Sequence, residues 1–209
     1  NGEHGGYAVG PQPQDGTLRM PRAGKIRLDA GDYREILKGL TAALKTLTFG
    51  PEWTDALLSV LERFTAGVPS STFCGESPDI SLFDHLKTTA AAGACISEFL
   101  LEAGETDYRK ALLREQAQFR KTEAFLRYSA DFSGVQKFIY TVMAQHALRT
   151  LRSRSFFLEF AMEHYLDELL RACGLSRANL LYSGGGHCYL LLPNTERVKR
   201  AVDGWNTRF

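Results

Sequence analysis

Cysteine is scarce in this chain: Cys74, Cys95, Cys173 and Cys188 lie far apart among 209 residues, with no CxxC pair between them. Such spacing excludes a dense disulfide framework and suits a reducing, cytoplasmic setting. Excess charge is also lacking, since 25 Lys plus Arg oppose 24 Asp plus Glu for a formal net charge of +1. No global basic field draws nucleic acid or an anionic surface, so any such contact must be local. The longest apolar stretches, Ala90–Ile96 and Tyr189–Leu192, fall well short of the ~20 residues of a membrane span, and no export signal opens the sequence. The reading is a soluble chain with no membrane partner. The start at Asn1 reads as that of a fragment. With 44% hydrophobic and 11% aromatic residues, there is material for one large or two small cores.

Residues 1–24 are rich in glycine and proline without apolar periodicity and read as a flexible arm. From Asp32, residues Tyr33, Ile36, Leu37, Leu40, Ala43, Leu44 and Leu47 repeat every three or four positions, which predicts a helix. A second helix is expected over Glu52–Thr65, ended by Gly67 and Pro69, and Pro69–Pro78 reads as a loop. Asp79 or Ser81 can cap a third helix, whose small residues Thr88–Ala94 would let another helix come close. Residues 25–103 thus read as all-helical, and the charged stretch 104–124 as a polar helix or connector at a domain boundary.

Past that boundary the period changes to two. Leu126, Tyr128 and Ala130 alternate with Arg127, Ser129 and Asp131, as in a half-buried strand. Helices over Val135–Thr150 and Ser155–Cys173 follow, then apolar runs Asn179–Tyr182 and His187–Leu192 joined by Ser183, Gly184, Gly185 and Gly186. This is a β-hairpin with a glycine tip. A last helix starts near Thr195. The order β, α, β, β, α is that of a split βαβ unit, so the expected fold class is α+β.

In such a sheet the third strand lies between the first two and antiparallel to both, which brings the hairpin tip beside the carboxyl end of the first strand. Asp131, Phe132, Ser133 and Gly134 then neighbour Ser183, Gly184, Gly185 and Gly186. Glycines admit phosphate close to backbone N–H groups, the helix after Gly134 offers an N-terminal dipole, and Asp131 can hold a divalent cation. Each short motif alone reads more readily as a tight turn with a serine cap. Their joint placement points to nucleotide.

Asp131-Phe132-Ser133-Gly134-Val135-Gln136-Lys137-Phe138-Ile139-Tyr140, then Leu151-Arg152-Ser153-Arg154-Ser155-Phe156, then Leu175 through Thr195 resemble the first palm domain of the large subunit of type III-A CRISPR effector complexes. That resemblance covers residues 125–209. Upstream, Pro78 through Ala90 resembles the end of the same subunit's circularly permuted HD nuclease domain. The resemblance implies an antiviral effector subunit that assembles with other complex subunits, binds guide RNA and target RNA, cuts single-stranded DNA and makes cyclic oligoadenylates from ATP. It implies Mg or Mn at the palms, a transition metal in the HD region, and a Gly-Gly-Asp-Asp hairpin on a second palm. No such hairpin occurs here, since Gly186 and His187 stand where carboxylates would. This palm is therefore expected to bind ATP without activating it, and the chain alone to be inactive.

His85, with Asp84, is the HD-region metal candidate, although the order is the reverse of His-Asp; a hydrogen-bonded helix histidine is the alternative. Arg149, Arg152 and Arg154 cluster before the long helix, as phosphate or carboxylate contacts or as a solvated turn. His146 and His164 read as ordinary helix residues. Two rival functions remain open: a nucleotide-sensing domain without turnover, and a structural ferredoxin-like module that docks protein or RNA.

Overall fold

A computed structural model describes residues 10–13, 29–71, 80–140 and 147–206. The proposed cap Asp79, Cys74, His4 and His146, and most of the 1–24 arm, lie outside the described residues. The chain divides into two compact units, Asn1–Thr89 and Ala90–Phe209, with the division falling inside a helix.

In the first unit, helices α1 (Ala30–Leu44) and α2 (Trp53–Thr65) pack through Ile36 and Phe64, joined by Val68 and flanked by Tyr33, Leu40 and Val60. The helix expected from Asp32 begins earlier, because Asp29 is its cap. Asp29 Oδ1 accepts from Gly31 N and Asp32 N, while Asp32 Oδ2 accepts from Asp29 N, a reciprocal capping box. Gly39 permits the close approach of α2: a Cβ there would stand 2.5 Å from Phe64 Cε1. Helix α3 (Leu82–Glu102) starts at Ser81, whose hydroxyl accepts from Asp84 N at 3.0 Å.

The second unit is a three-stranded antiparallel sheet covered on one face by helices, an α+β arrangement. Strands β1 (Phe125–Asp131), β2 (Leu180–Gly184) and β3 (His187–Pro193) lie in the order β1-β3-β2. Along β1, Leu126, Tyr128 and Ala130 are partly buried while Phe125, Arg127, Ser129 and Asp131 are exposed, the alternation expected of a sheet with one wet face. Preceding β1, residues 104–124 hold a single π turn (Lys110–Arg114) and a short α4 (Gln116–Phe119). After β1 come α5 (Val135–Tyr140), the long α6 (Ala147–Cys173) and a 3₁₀ turn (Arg177–Asn179), and after β3 comes α7 (Glu196–Asn206). The core gathers Met162, Leu166, Leu169 and Leu170 of α6 with Leu190 and Leu192 of β3 and Val198, Val202 and Trp205 of α7.

Two expectations need correction. The long helix begins at Ala147 rather than Ser155, so Arg149, Arg152 and Arg154 lie within its first turns and not in a turn before it. No glycine or proline interrupts 147–173, and Ser153 Oγ bonds back to Arg149 O at 3.0 Å, so nothing breaks the ladder there. The small residues of α3 admit a strand where a helix was expected. Ala91 and Cys95 are fully buried, and Cys95 Sγ donates to Leu191 O of β3 at 3.5 Å. Farther along, Glu102 accepts from Glu196 N at 2.7 Å and Arg197 N at 3.3 Å, which caps α7 from the end of α3. Arg197 clamps the same junction through Glu98 and Cys173 O, each at 2.8 Å.

Candidate functional site

The register of β1 on β3 pairs Asp131 with His187, so the end of the first strand meets the start of the third beside the hairpin loop. The loop itself is tighter than expected. Strand β2 runs through Gly184, leaving Gly185 and Gly186 as a two-residue turn with φ of 61° and 86°. Both positive angles suit the type I′ geometry that follows sheet twist, and they fall where glycine adopts them without a steric cost. Phe132 N donates to Gly186 O at 3.0 Å, stitching the turn after β1 to the tip. Gly134, also at positive φ, leads into α5, and its carbonyl accepts from Phe138 N at 2.9 Å.

The eight residues expected to form a nucleotide site therefore come together, but they do not all face the same way. Asp131 is exposed, with Oδ1 3.3 Å from His187 Nδ1. Phe132 turns its ring into the core, edge-on to Tyr165 at 6.2 Å between centroids, so only its backbone belongs to the site. Ser183 is engaged by α6: its hydroxyl donates to Glu163 Oε1 at 3.1 Å. Arg177 holds that carboxylate and Asp167, at 2.6 Å each, and these partners keep its guanidinium pKa raised against the desolvation of burial. Gly185 is open, since a Cβ there would meet no heavy atom within 4 Å.

On the exposed sheet face beside the tip, Ser129, Ala130, Asp131, His187, Cys188 and Tyr189 line a cavity of about 120 Å³. Tyr189 lies 6.1 Å from Tyr182, and Arg127 stands over its ring at 5.8 Å. Sequence reading missed Arg127, Tyr182 and Tyr189 as a group. The signal was present in the strand alternation, which puts the odd-numbered residues of β1 and β3 on one face, but β2 joins that face only through a register irregularity between Leu180 and Tyr182.

The other candidates separate. Asp84 Oδ2 accepts from Ser81 Oγ at 2.8 Å as part of the α3 start, and Thr89 Oγ1 donates to His85 O at 2.7 Å. Among the described residues no group of three or more His, Cys, Asp or Glu converges as a metal site. His85 and Asp84 thus do not make a fitting metal centre by themselves. Arg154 donates to Phe138 O at 2.6 Å and lies over that ring, linking α6 to α5, and His164 is exposed on α6. No described helix is long and apolar enough to cross a membrane.

Residues 124–209 match the family described as Csm1 subunit domain B. A Mycobacterium tuberculosis protein described as a CRISPR system single-strand-specific deoxyribonuclease Cas10/Csm1 (subtype III-A) is 47% identical over 186 residues, covering 89% of this chain and 23% of the relative. Two solved structures of a Csm1–Csm4 cassette share the fold over 96% of this chain. The one in complex with one ATP has a TM-score of 0.76 at 30% identity, over 25% of that chain. The one in complex with cA4 has a TM-score of 0.76 at 31% identity, over 26% of that chain. The chain spans about a quarter of the length of the relatives it matches.

Proposed function

This chain belongs to the Cas10/Csm1 family of type III-A CRISPR subunits, and from that premise we propose that its second unit is a palm that binds ATP for cyclic oligoadenylate synthesis completed by a second palm. The observation that carries the reading is the junction of two phosphate-accepting turns with one cation-holding carboxylate. The Gly185-Gly186 tip, the Ser133-Gly134 turn and the exposed Asp131 carboxylate meet within one hydrogen-bonded corner. A phosphate chain fits the open side of Gly185, and the nucleoside lies along the exposed face toward Tyr189 and Tyr182. The cassette structure holding ATP supports the ligand class.

Asp131 fits a Mg²⁺ or Mn²⁺ role as one carboxylate donor, because such ions take one or two carboxylates and complete their shell with phosphate oxygens and water. When bound, the ion would offset phosphate charge. A single carboxylate does not build a two-metal centre, so the chain's own residues bind and orient ATP while activation of a 3′-hydroxyl falls to the second palm. The helical region before the palm, residues 25–103, belongs in this reading to the single-stranded DNA nuclease, with His85 and Asp84 as partial contributors to a metal site completed by residues outside this chain. Partners are the other subunits, guide RNA and target RNA, in the cytoplasm.

Calorimetric titration of the chain with Mg·ATP tests the nucleotide reading. Gly185→Val adds a β-branched side chain at positive φ, on the side left for phosphate, where its Cβ meets no heavy atom within 4 Å. Binding should fall at least about tenfold while circular dichroism stays native. Unchanged affinity in the folded variant sinks the site.

A further inference from the structure

Ser183 stands next to the glycine tip, yet its hydroxyl points to a carboxylate. It donates to Glu163 Oε1 at 3.1 Å, and the other oxygen, Oε2, accepts from Arg177 Nη1 at 2.6 Å. Arg177 also grips Asp167 Oδ1 through Nε at 2.9 Å and Nη2 at 2.6 Å. Since Arg177 opens the 3₁₀ turn that leads into β2 and Ser183 lies near the strand's end, one carboxylate on α6 ties both ends of β2. The strand needs it. Among the described residues β2 is an edge strand, paired with β3 alone and in an irregular register. Its tip has no side chain to pack, and on the β1 side the connection is the bond from Phe132 N to Gly186 O.

We propose that Glu163, backed by Arg177, is a positioning residue of the nucleotide site: it holds Ser183, and thereby the Gly184–Gly186 tip, in the orientation that receives phosphate. Its charge also works as a filter. A phosphate at the Ser183 hydroxyl would face the Glu163 carboxylate at close range, where like charges repel, so phosphate is directed to the side of Ser133 and Gly134. Ser183 is then a tether and not a phosphate ligand. This rests on the ATP reading above.

Calorimetry with Mg·ATP on the full chain tests it with Glu163→Ala, Ser183→Ala, the double variant and Ser183→Thr. Ser183→Ala should raise Kd about fivefold, the cost of losing one positioned hydrogen bond, and Glu163→Ala at least as much, since it also removes the acceptor of Arg177 Nη1. The double variant should lose no more than Glu163→Ala alone, because the Ser183 contact is already broken there, and Ser183→Thr, which keeps the hydroxyl, should bind like the unaltered chain. Hydrogen exchange of the Gly184–Gly186 amides should quicken in both single variants. Glu163→Gln covers the case in which Glu163→Ala does not fold; it keeps an acceptor for Ser183 and should raise Kd about twofold. A purely structural role would lower the melting temperature and leave Kd unmoved. If Ser183 is a phosphate ligand, Glu163→Ala frees its hydroxyl and removes a repelling charge, so binding tightens while Ser183→Ala weakens it, and these opposite signs overturn the proposal. Should the unaltered chain bind no Mg·ATP, the ATP reading falls and this inference with it. If it binds and both Glu163 variants bind equally well, the inference alone falls.

Discussion

Asp131 carries the clearest division between a turn residue and a ligand. It ends β1 opposite His187, with more than half of its side chain exposed, and its Oδ1 lies 3.3 Å from Nδ1 of that imidazole. A turn-forming Asp bonds local backbone N–H groups, whereas the contact the structure gives this carboxylate is to His187, and its exposed side stays open to a cation. Asp131→Asn keeps the shape and removes the charge. Affinity for Mg·ATP should drop several-fold, about 1 kcal/mol, while affinity for ATP in excess chelator should change much less. Equal losses with and without Mg²⁺ would mean that the residue serves the backbone alone. Asn179 shows the contrasting case of a polar residue absorbed by the fold. It is fully buried, donates to Leu191 O at 2.8 Å, and lies 3.5 Å from Ala91 O and Cys95 Sγ. Its role is to satisfy carbonyls where β3 meets α3, and leaving such groups unpaired costs about 1–3 kcal/mol.

At the scale of elements, the contact between α1 and α2 is decided by one missing methyl group. Gly39→Ala should gain about 1 kcal/mol of helix propensity, but the added Cβ falls 2.5 Å from Phe64 Cε1, and Phe64 is itself buried in that small core. Overpacking costs typically about 1–3 kcal/mol, so the net change should be destabilising. In a Phe64→Leu background the obstruction is gone, and the same Gly39→Ala change should stabilise. Urea melts followed by Trp53 fluorescence in a Trp205→Phe chain would read both signs. What was legible in the sequence follows the same physics. The β1 alternation and the hairpin came from period and turn chemistry, which are local, and the meeting of Asp131 with the glycines from the strand order of a split βαβ unit. The start of α6 was not legible, because Arg149, Arg152 and Arg154 look like a turn only when read as charges, while nothing in 147–154 stops a helix. Nor was the Glu163–Ser183 tether, since it joins residues 20 apart whose side chains meet only once β2 packs on α6.

Across the second unit as a whole, every titratable group with a resolved acid shift points in one direction. Burial raises the thiols of Cys95, Cys173 and Cys188 and the phenols of Tyr128 and Tyr165, whose hydroxyls bond each other beneath the sheet. Cys95 moves from 9.0 to about 11, with its contact to Asn179 only partly offsetting burial. A thiol that holds its proton more tightly when folded stabilises the fold fully below the unfolded pKa, near 9, and loses that contribution as pH rises through about 11. Between pH 9 and 10.5 the Cys95 share alone is about 1.5 kcal/mol, and the other groups add in the same sense. Stability of this unit should therefore be nearly flat up to pH 8 and fall steeply above 9. Urea midpoints followed by Trp205 fluorescence in a Trp53→Phe chain would trace that fall, and Cys95→Ala, although less stable at pH 7 for the cavity it leaves, should decline less steeply with pH. A Cys95→Ala profile parallel to that of the parent would mean that the buried thiol ionises as readily in the folded unit as in the unfolded chain.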